Sequence, residues 1–262
     1  MSAPAGRWAD LGPRMGVGAI VAVIGLLGVW LGGIVFIVLT VAISAVMVWE
    51  LVRMLDRAAP AIALAGGAGA ALAIAEILPP GYALPLLIAP SFVGFGQLNR
   101  HRATFAIFTA AILLAGFGLF TLRDRFGFEW MLWLAAVVIV TDVAGYFAGR
   151  FIGGPKFWPR VSPKKTWAGT IAGWVGAAVV GGIFIGITGA NGQLVGVSIA
   201  LSMASQFGDI AESAVKRRMG VKDSSSLLPG HGGLFDRFDG MLGASVFLLM
   251  VQQIVNFPPG LP

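Results

Sequence analysis

The stretch WMLWLAAVVIVTDVAGYFAG, residues 130–149, indicates the fold class of the chain. It is long enough to cross roughly 30 Å of hydrocarbon as an α-helix, and Asp142 is its only charged residue. Comparable apolar runs recur along nearly all of the 262 residues, which are 57% hydrophobic and only 11% charged. Soluble domains have a different balance. The sequence therefore predicts an all-α polytopic membrane protein in which residues 1–262 form a single membrane domain.

Polar residues divide the chain into nine apolar runs, and each run is predicted to form a membrane-spanning helix. They cover residues 15–30, 33–52, 60–78, 81–98, 104–122, 130–149, 167–188, 194–211 and 241–257. If the N-terminus is cytoplasmic, all of the 18 lysine and arginine residues except Arg123 and Arg125 fall on the cytoplasmic side. Because cytoplasmic loops carry the excess of basic residues, we expect a cytoplasmic N-terminus, a periplasmic C-terminus and a bacterial inner membrane.

The residue types that are missing or in excess exclude several kinds of chemistry. The chain has no cysteine, which excludes disulfides, thiolate metal sites and cysteine nucleophiles. Its formal net charge of +6 is explained by basic loops that face anionic headgroups, so nucleic-acid binding is not predicted. Any chemistry must therefore use oxygen and nitrogen ligands.

Small residues recur at helical spacing in and after two of the predicted spans. Gly145, Gly149 and Gly153 are spaced by four residues, and Gly169 and Gly173 repeat the interval. In a membrane this pattern is typical of closely packed helices. A nucleotide-binding loop is not indicated, because no GxxxxGK[ST] motif occurs.

Three isolated carboxylates lie in or near the predicted spans. Glu50 and Glu76 are close to span ends, and we expect each to be solvated or to face lipid headgroups. Asp142 lies inside a span, where an ionisable group is costly and indicates function. Tyr146 and Arg150 follow it on the same helical face. We expect Asp142 to line a water-filled cavity or to meet a partner inside the bundle.

A basic loop follows the sixth predicted span. The segment SPKKT places Lys164 and Lys165 beside the hydroxyls of Ser162 and Thr166, at the predicted start of a helix. Ammonium and hydroxyl groups in this position suit phosphate oxygens. The alternative is that the loop only supplies positive charge to the cytoplasmic face.

The most polar stretch is SQFGDIAESAVKRRMGVKDSSSLLPGHGGLFDRFD, residues 205–239. Asp209, Glu212 and Lys216 fall on one helical face, where the two carboxylates can bind a hard cation. Asp236, followed three residues later by a further aspartate, forms a second acidic pair, and bases and a glycine-rich turn lie between the pairs. This arrangement is typical of phosphoryl-type chemistry, with Mg²⁺ on the acids and cations on the phosphates.

These residues resemble the signature of the phosphatidate cytidylyltransferases, also called CDP-diacylglycerol synthases. The signature has the form S-x-hydrophobic-K-R-x4-K-D-x-small-x2-hydrophobic-P-x-H-G-G-hydrophobic-x-D-R-hydrophobic-D. Its fixed positions are occupied by Ser213, Lys216, Arg217, Lys222, Asp223, Ser225, Leu228, Pro229, His231, Gly232, Gly233, Leu234, Asp236, Arg237, Phe238 and Asp239. The resemblance extends to the SPKKTW loop, to Asp142 and to the Trp49-Glu50 pair, and the chain departs from the family at Val143 and Ala168.

The resemblance implies transfer of the cytidylyl group of CTP to phosphatidic acid, giving CDP-diacylglycerol and pyrophosphate. Residues 142–240 would carry the catalytic loops and the signature. Mg²⁺ is the implied cofactor, with a second cation left open. The implied partners are CTP, phosphatidic acid and the lipid bilayer, a homodimer is left open, and the site is expected to face the cytoplasm.

Roles for individual residues also come from this resemblance. The residues implied to bind metal are Asp209, Glu212, Asp236 and Asp239. Those implied to take part in catalysis are Asp209, Asp236, Lys222 and His231. Those implied to bind substrate are Ser162, Lys164, Lys165, Thr166, Lys216, Arg217, Gly232, Gly233, Arg237 and Asp142.

Two other functions stay open at this point. A membrane transporter of an anionic substrate would carry charge near mid-membrane in several spans, whereas here the charge is concentrated on one face, with Asp142 as the main exception. A nucleotidyl- or phosphotransferase acting on a polyprenyl phosphate would use the same polar groups, because selectivity between lipids lies in apolar surfaces.

Overall fold

The computed structural model describes residues 11–228, 230–252 and 254–260, and nine α-helices form most of this part of the chain. The helices are α1 (Leu11–Leu31), α2 (Gly33–Leu55), α3 (Ala61–Ile77), α4 (Pro80–Gln97), α5 (Arg102–Phe126), α6 (Phe128–Phe151), α7 (Trp167–Thr188), α8 (Gln193–Arg218) and α9 (Phe235–Val251). Two short strands lie between α6 and α7, namely β1 (Lys156–Trp158) and β2 (Ser162–Thr166).

Five of the described helices, α2, α5, α6, α7 and α8, are long and apolar enough to cross a membrane. Shorter apolar helical segments are Gly18–Leu31 and Ala61–Ile77. Large apolar side chains such as Ile62 and Val175 are exposed on the outside of the bundle, where lipid rather than water would cover them. The prediction of a helical, polytopic membrane protein is confirmed in this general form.

The first seven predicted spans agree with α1 to α7 to within about four residues at each end. Helix α8 continues to Arg218, as the helical spacing of Asp209 and Lys216 predicted. Arg7, which the charge count places in the cytoplasm, lies outside the described residues.

The predicted boundaries of the last span are wrong. Helix α9 begins at Phe235, six residues before the expected position 241, and ends at Val251. The described residues that follow α9 do not prolong the helix, and Ile254 and Val255 are exposed. The ring of Phe257 lies 5.1 Å from that of Trp130 and 5.3 Å from that of Phe126. Phe257 therefore packs against an aromatic cluster of the protein, a contact that hydropathy alone does not separate from a membrane span.

The SPKKT segment forms strand β2, which was not predicted, and α7 begins directly after it, at the predicted residue 167. Lys156 pairs with Thr166, and Trp158 pairs with Ser162, in an antiparallel hairpin. Helix α7 begins only after Thr166, whose side-chain oxygen accepts a hydrogen bond of 3.2 Å from the Gly169 amide and caps the helix. The hairpin is the exception to an otherwise helical fold in the described residues.

Contacts between connections define two ends of the bundle. At one end, the Asn99 amide between α4 and α5 donates to Asp56 Oδ2 after α2, at 2.9 Å. At the other end, Arg123 Nε near the end of α5 donates to the Val29 carbonyl of α1, at 2.6 Å. This arrangement is expected for successive helices that alternate in direction. It also places Arg123 away from the end that carries most of the basic residues.

Small residues allow α6 and α7 to approach closely. A Cβ atom on Gly169 would lie 2.5 Å from the carbonyl oxygen of Gly145, and one on Gly149 would lie 3.1 Å from Thr166 Oγ1. The packing role predicted for these glycines is therefore confirmed. It is wrong for Gly153, where a Cβ atom would meet nothing within 4 Å and where φ is +68°. That glycine allows the turn after α6 instead.

Candidate active site

Helices α8 and α9 bring the two predicted acidic pairs together. A Cβ atom on Gly208 would overlap the carbonyl oxygen of Asp239 and lie 3.0 Å from the Gly243 amide nitrogen. Because the backbones are in contact here, Asp209 on α8 lies beside Asp239 on α9. The two pairs, about thirty residues apart in sequence, therefore belong to one site.

A buried ammonium group joins the two helices. Lys216 Nζ lies 2.5 Å from Glu212 Oε2 on α8 and 2.6 Å from Asp236 Oδ1 on α9. Glu212 is 1% exposed and Lys216 is 9% exposed. Removing one member of such a buried group would leave an uncompensated charge, which is strongly destabilising. Lys216, predicted to bind substrate, thus also holds the site together.

Asp236 is the most heavily hydrogen-bonded of the predicted site acids. Its Oδ1 accepts from Lys216, while its Oδ2 accepts from the Gly233 amide at 2.7 Å and from both the amide and the hydroxyl of Ser224 at 2.9 Å. The carboxylate therefore fixes the loop that precedes α9. The Gly233 amide, predicted to bind substrate, is engaged by Asp236 in this arrangement.

Glu50 is a second carboxylate that holds the same loop, and its predicted solvation is wrong. The side chain is fully buried, with 0% exposure. Its Oε1 accepts from Ser225 Oγ at 2.6 Å and from the Leu234 amide at 3.0 Å, and its Oε2 accepts from the Phe235 amide at 2.7 Å. Ser224 Oγ lies 3.3 Å from Oε2. Buried carboxylates are stable when their oxygens are paired in this way.

Glu76 also differs from its predicted solvation. Both of its carboxylate oxygens are buried, and within the described residues neither accepts a hydrogen bond. It lies near the end of α3, away from the acids of α8 and α9. Helix packing covered this side chain, which the sequence did not predict.

A cleft of about 570 Å³ lies beside the acids, between α6, α7, α8 and the hairpin. It is lined by Thr141, Asp142, Gly145, Tyr146, Gly149, Arg150, Lys156, Lys164, Lys165, Thr166, Gly169, Thr170, Gln206 and Asp209. Lys165 forms an ion pair with Asp209 across it. The expectation that Asp142 lines a cavity is confirmed, and the cleft combines acids on one side with four basic side chains on the other.

The remaining predicted residues lie around these two groups. Lys222, Arg217 and Arg237 are exposed, and Ser162 is half-buried in the hairpin. His231 Nδ1 is buried and has no hydrogen-bond partner in the described part of the chain. The Gly232 carbonyl accepts from the Leu228 amide at 2.8 Å, which closes the turn.

A metal site can be assessed from the donors that are present. Among the described residues, no group of three or more Asp, Glu or His side chains is arranged to hold a metal ion. Glu212 Oε2 pairs with Lys216, whereas the buried Oε1 has no hydrogen-bond partner in that part of the chain. Asp239 lies within electrostatic range of Glu212, Asp209 and Asp142. Mg²⁺ commonly uses only one or two protein carboxylates and completes its shell with water and substrate phosphates. The acids therefore fit a magnesium ion that is bound together with substrate.

Several residues of the site were not predicted. Gln206 is held in the cleft wall by the Trp174 indole, which donates to Oε1 at 3.0 Å, and by its own Nε2, which donates to the Thr170 carbonyl at 3.2 Å. Lys156 also lines the cleft. The sequence offers a weak signal for Gln206, namely an amide inside an apolar helix. For Glu50 the only signal was its place in the family resemblance.

Comparison with known proteins identifies the family of the chain. A family model described as the cytidylyltransferase family matches residues 13–255. The chain belongs to the cytidylyltransferase family. Among its relatives in that family is the phosphatidate cytidylyltransferase of Brucella suis biovar 1 (strain 1330), which is 37% identical over 239 residues, covering 87% of this chain and 88% of the relative.

Two further cytidylyltransferase relatives come from Bacillus and Staphylococcus. The phosphatidate cytidylyltransferase of Bacillus subtilis (strain 168) is 32% identical over 277 residues, covering 94% of this chain and 99% of the relative. That of Staphylococcus haemolyticus (strain JCSC1435) is 37% identical over 169 residues, covering 61% of this chain and 65% of the relative. The family assignment therefore applies to nearly the whole chain and not only to the polar segment.

Proposed function

We propose that the chain transfers the cytidylyl group of CTP to phosphatidic acid and produces CDP-diacylglycerol and pyrophosphate for phospholipid biosynthesis. The observation that carries this proposal is the convergence of the α8 and α9 acids with a basic cleft, in a chain that belongs to the cytidylyltransferase family. Phosphatidic acid is inferred as the lipid substrate from the names of the relatives.

The reaction needs positioned charge more than an activated side chain. A phosphate oxygen of phosphatidic acid attacks the α-phosphorus of CTP, and the bond from that phosphorus to the bridging β-oxygen breaks, so that pyrophosphate leaves. A phosphate is already a competent nucleophile. The protein must align the two reactants and offset the negative charge that they bring together.

The cleft supplies groups for the phosphates. Lys156, Lys164, Lys165 and Arg150 line it, and ammonium and guanidinium groups bind phosphate oxygens through charge-assisted hydrogen bonds. Lys165 would exchange its ion pair with Asp209 for contact with a substrate phosphate. We assign the exposed Lys222, Arg217 and Arg237, together with His231, to the triphosphate and the leaving pyrophosphate.

Mg²⁺ is the proposed cofactor, with Asp209, Glu212, Asp236 and Asp239 as its candidate ligands and Asp142 nearby. The unpaired Oε1 of Glu212 and the grouping of acids around Asp239 support this assignment. The ion would offset charge on the triphosphate. Asp236 has a second role, because it orders the loop before α9.

The proposed location is a bacterial inner membrane, with the site at its cytoplasmic face. Support comes from the basic residues, which crowd the end of the bundle that holds the cleft and are nearly absent from the end that holds Arg123. CTP is available on the cytoplasmic side, and phosphatidic acid would reach the site laterally from the bilayer.

A direct assay tests the proposal. Purified protein is incubated with labelled CTP and either phosphatidic acid or a polyprenyl phosphate, with and without Mg²⁺. We expect pyrophosphate and CDP-diacylglycerol only with phosphatidic acid and Mg²⁺. If product forms only with the polyprenyl phosphate, that lipid and not phosphatidic acid is the substrate. If neither lipid leads to release of pyrophosphate, an enzymatic function is refuted.

Variants of the acids test the metal assignment. Asp209→Asn and Asp236→Asn should each abolish Mg²⁺-dependent turnover in folded protein, and near-normal turnover in either would remove that residue from the assignment. Lys164→Ala should raise the KM for CTP. Arg125→Ala is the matched control, because it removes an exposed base at the opposite end of the bundle.

A further inference from the structure

Glu50 lies on α2, far in sequence from every residue that the proposed reaction uses, yet its partners all belong to the active-site loop. They are the hydroxyls of Ser224 and Ser225 and the amides of Leu234 and Phe235. The two amides are at the N-terminal end of α9, where a negative charge is favourable. Glu50 thus fixes both ends of the segment that carries His231 and the two glycines after it.

The Glu50 carboxylate is also connected to Asp236 through one side chain. The Ser224 hydroxyl has one hydrogen, which is shared between Asp236 Oδ2 at 2.9 Å and the more distant Glu50 Oε2 at 3.3 Å. The Ser224 amide donates to the same Asp236 oxygen. Asp236 in turn holds Lys216. Among the described residues Ser225 has no such link, because its hydroxyl there contacts only Glu50 and the Leu227 amide.

Besides Glu50, the loop is held by Asp236 and by the hydrogen bond between the Leu228 amide and the Gly232 carbonyl. Gly230 and Gly232 have φ angles of +74° and +84°, so this part of the backbone is intrinsically permissive. A Cβ atom on Gly233 would overlap both Glu50 Oε1 and Ser224 Oγ. The absence of a side chain at position 233 is therefore explained by the close approach of Glu50 and Ser224 to the backbone.

We propose that Glu50 is a positioning residue for the transfer reaction, acting through Ser224 on Asp236 and so on Lys216. The inference rests on the proposed function, because it concerns the rate of that reaction. Glu50 does not touch the substrate; it determines where the Asp236 carboxylate and the Lys216 ammonium lie. Small displacements of such groups are costly, since about 1 Å can reduce turnover roughly a hundredfold.

The two serines provide a matched pair of variants. Ser224→Ala and Ser225→Ala each remove one hydroxyl from Glu50, but only Ser224→Ala also breaks the connection to Asp236. We expect Ser224→Ala to lower kcat about tenfold with little change in the KM for CTP, and Ser225→Ala to keep kcat within about twofold. Thermal unfolding in detergent should change by similar amounts in both variants.

Glu50→Gln tests the carboxylate itself. Glutamine conserves the volume, but its NH₂ group cannot accept hydrogen bonds from the loop, so kcat should fall about a hundredfold in the folded fraction. The double variant Glu50→Gln with Ser224→Ala should have the same kcat as Glu50→Gln alone. The effects of substitutions at residues that act through one connection are not additive.

The outcomes separate this inference from the proposed function. If wild-type protein releases no pyrophosphate, the proposed function fails and the inference fails with it. If wild type is active, equal kcat values for the two serine variants would overturn the inference alone and reduce Glu50 to a structural support. Wild-type kcat in folded Glu50→Gln would do the same. If Glu50→Gln does not fold, the kcat values of the two serine variants still test the inference.

Discussion

Replacing Gly232 by alanine should displace the Asp236 carboxylate and remove most activity. A Cβ atom at position 232 would lie 2.6 Å from Asp236 Oδ2, whereas ordinary contact begins at 3.4 Å. The carboxylate would therefore have to move by about 0.8 Å, away from the Gly233 amide and Ser224. A displacement of this size in a positioned group should lower kcat roughly a hundredfold.

Backbone strain also contributes to the effect of Gly232→Ala, and a control variant with the same strain measures that contribution. Gly232 has φ +84°, and a left-handed conformation costs an alanine about 1–2 kcal/mol. Gly220→Ala is the matched control: its φ is +70°, but a Cβ atom there would meet nothing within 4 Å. Both variants should lose similar stability, and only Gly232→Ala should lose turnover.

The assay compares steady-state kcat, per folded enzyme, with the midpoint of thermal unfolding in detergent. The reasoning would be refuted if Gly232→Ala retained turnover within about threefold of Gly220→Ala at similar stability. It would also fail if Gly220→Ala lost as much turnover as Gly232→Ala, because strain in the backbone would then account for the whole effect.

Three further predictions concern the hairpin, the cleft and the connection between α2 and α3. Thr166→Ala should lower the free energy of unfolding by about 1 kcal/mol, because α7 loses its N-cap, and Thr166→Ser should retain the cap; equal unfolding midpoints would contradict this. Lys165→Ala should raise the KM for CTP about tenfold and Lys165→Arg less, whereas a KM unchanged in both would remove Lys165 from the site. The Asn99 amide donates to Asp56 and lowers the pKa of that carboxyl below its usual value of 3.8. The resulting stability is present above the usual pKa and lost as pH falls through the lowered one. The difference in unfolding midpoint between wild type and Asp56→Asn should therefore be present at about pH 6 and shrink towards about pH 3; a difference independent of pH would contradict the assignment.

Helix positions could be predicted from sequence where apolar length decides them. Seven helices were located to within a few residues because the membrane requires about twenty apolar residues for each crossing. The prediction failed after Val251, where the helix ends and Phe257 packs against Trp130 of the protein. Hydropathy records that a residue avoids water and not whether lipid or protein covers it.

The site could be predicted in its composition but only partly in its geometry. The spacing of Asp209, Glu212 and Lys216 placed them on one helical face, and the structure agrees. Helical spacing could not predict the ion pair between Lys216 and Asp236, because that contact depends on how α8 and α9 pack. The strand conformation of SPKKT also depends on a partner, because Lys156 pairs with Thr166.

The sequence by itself determined that this is a helical membrane protein of the cytidylyltransferase family, with many of its acids and bases in the segment between α6 and α7 and in residues 209–239. Those properties depend on composition, on periodicity and on residues close together in the chain. The tertiary structure alone decided the role of Glu50, because its contact with Phe235 spans 185 positions. A local sequence pattern cannot predict a contact between residues so far apart in the chain. Glu50 was expected at the surface, and it is buried and supports the loop only because α2 packs against α9.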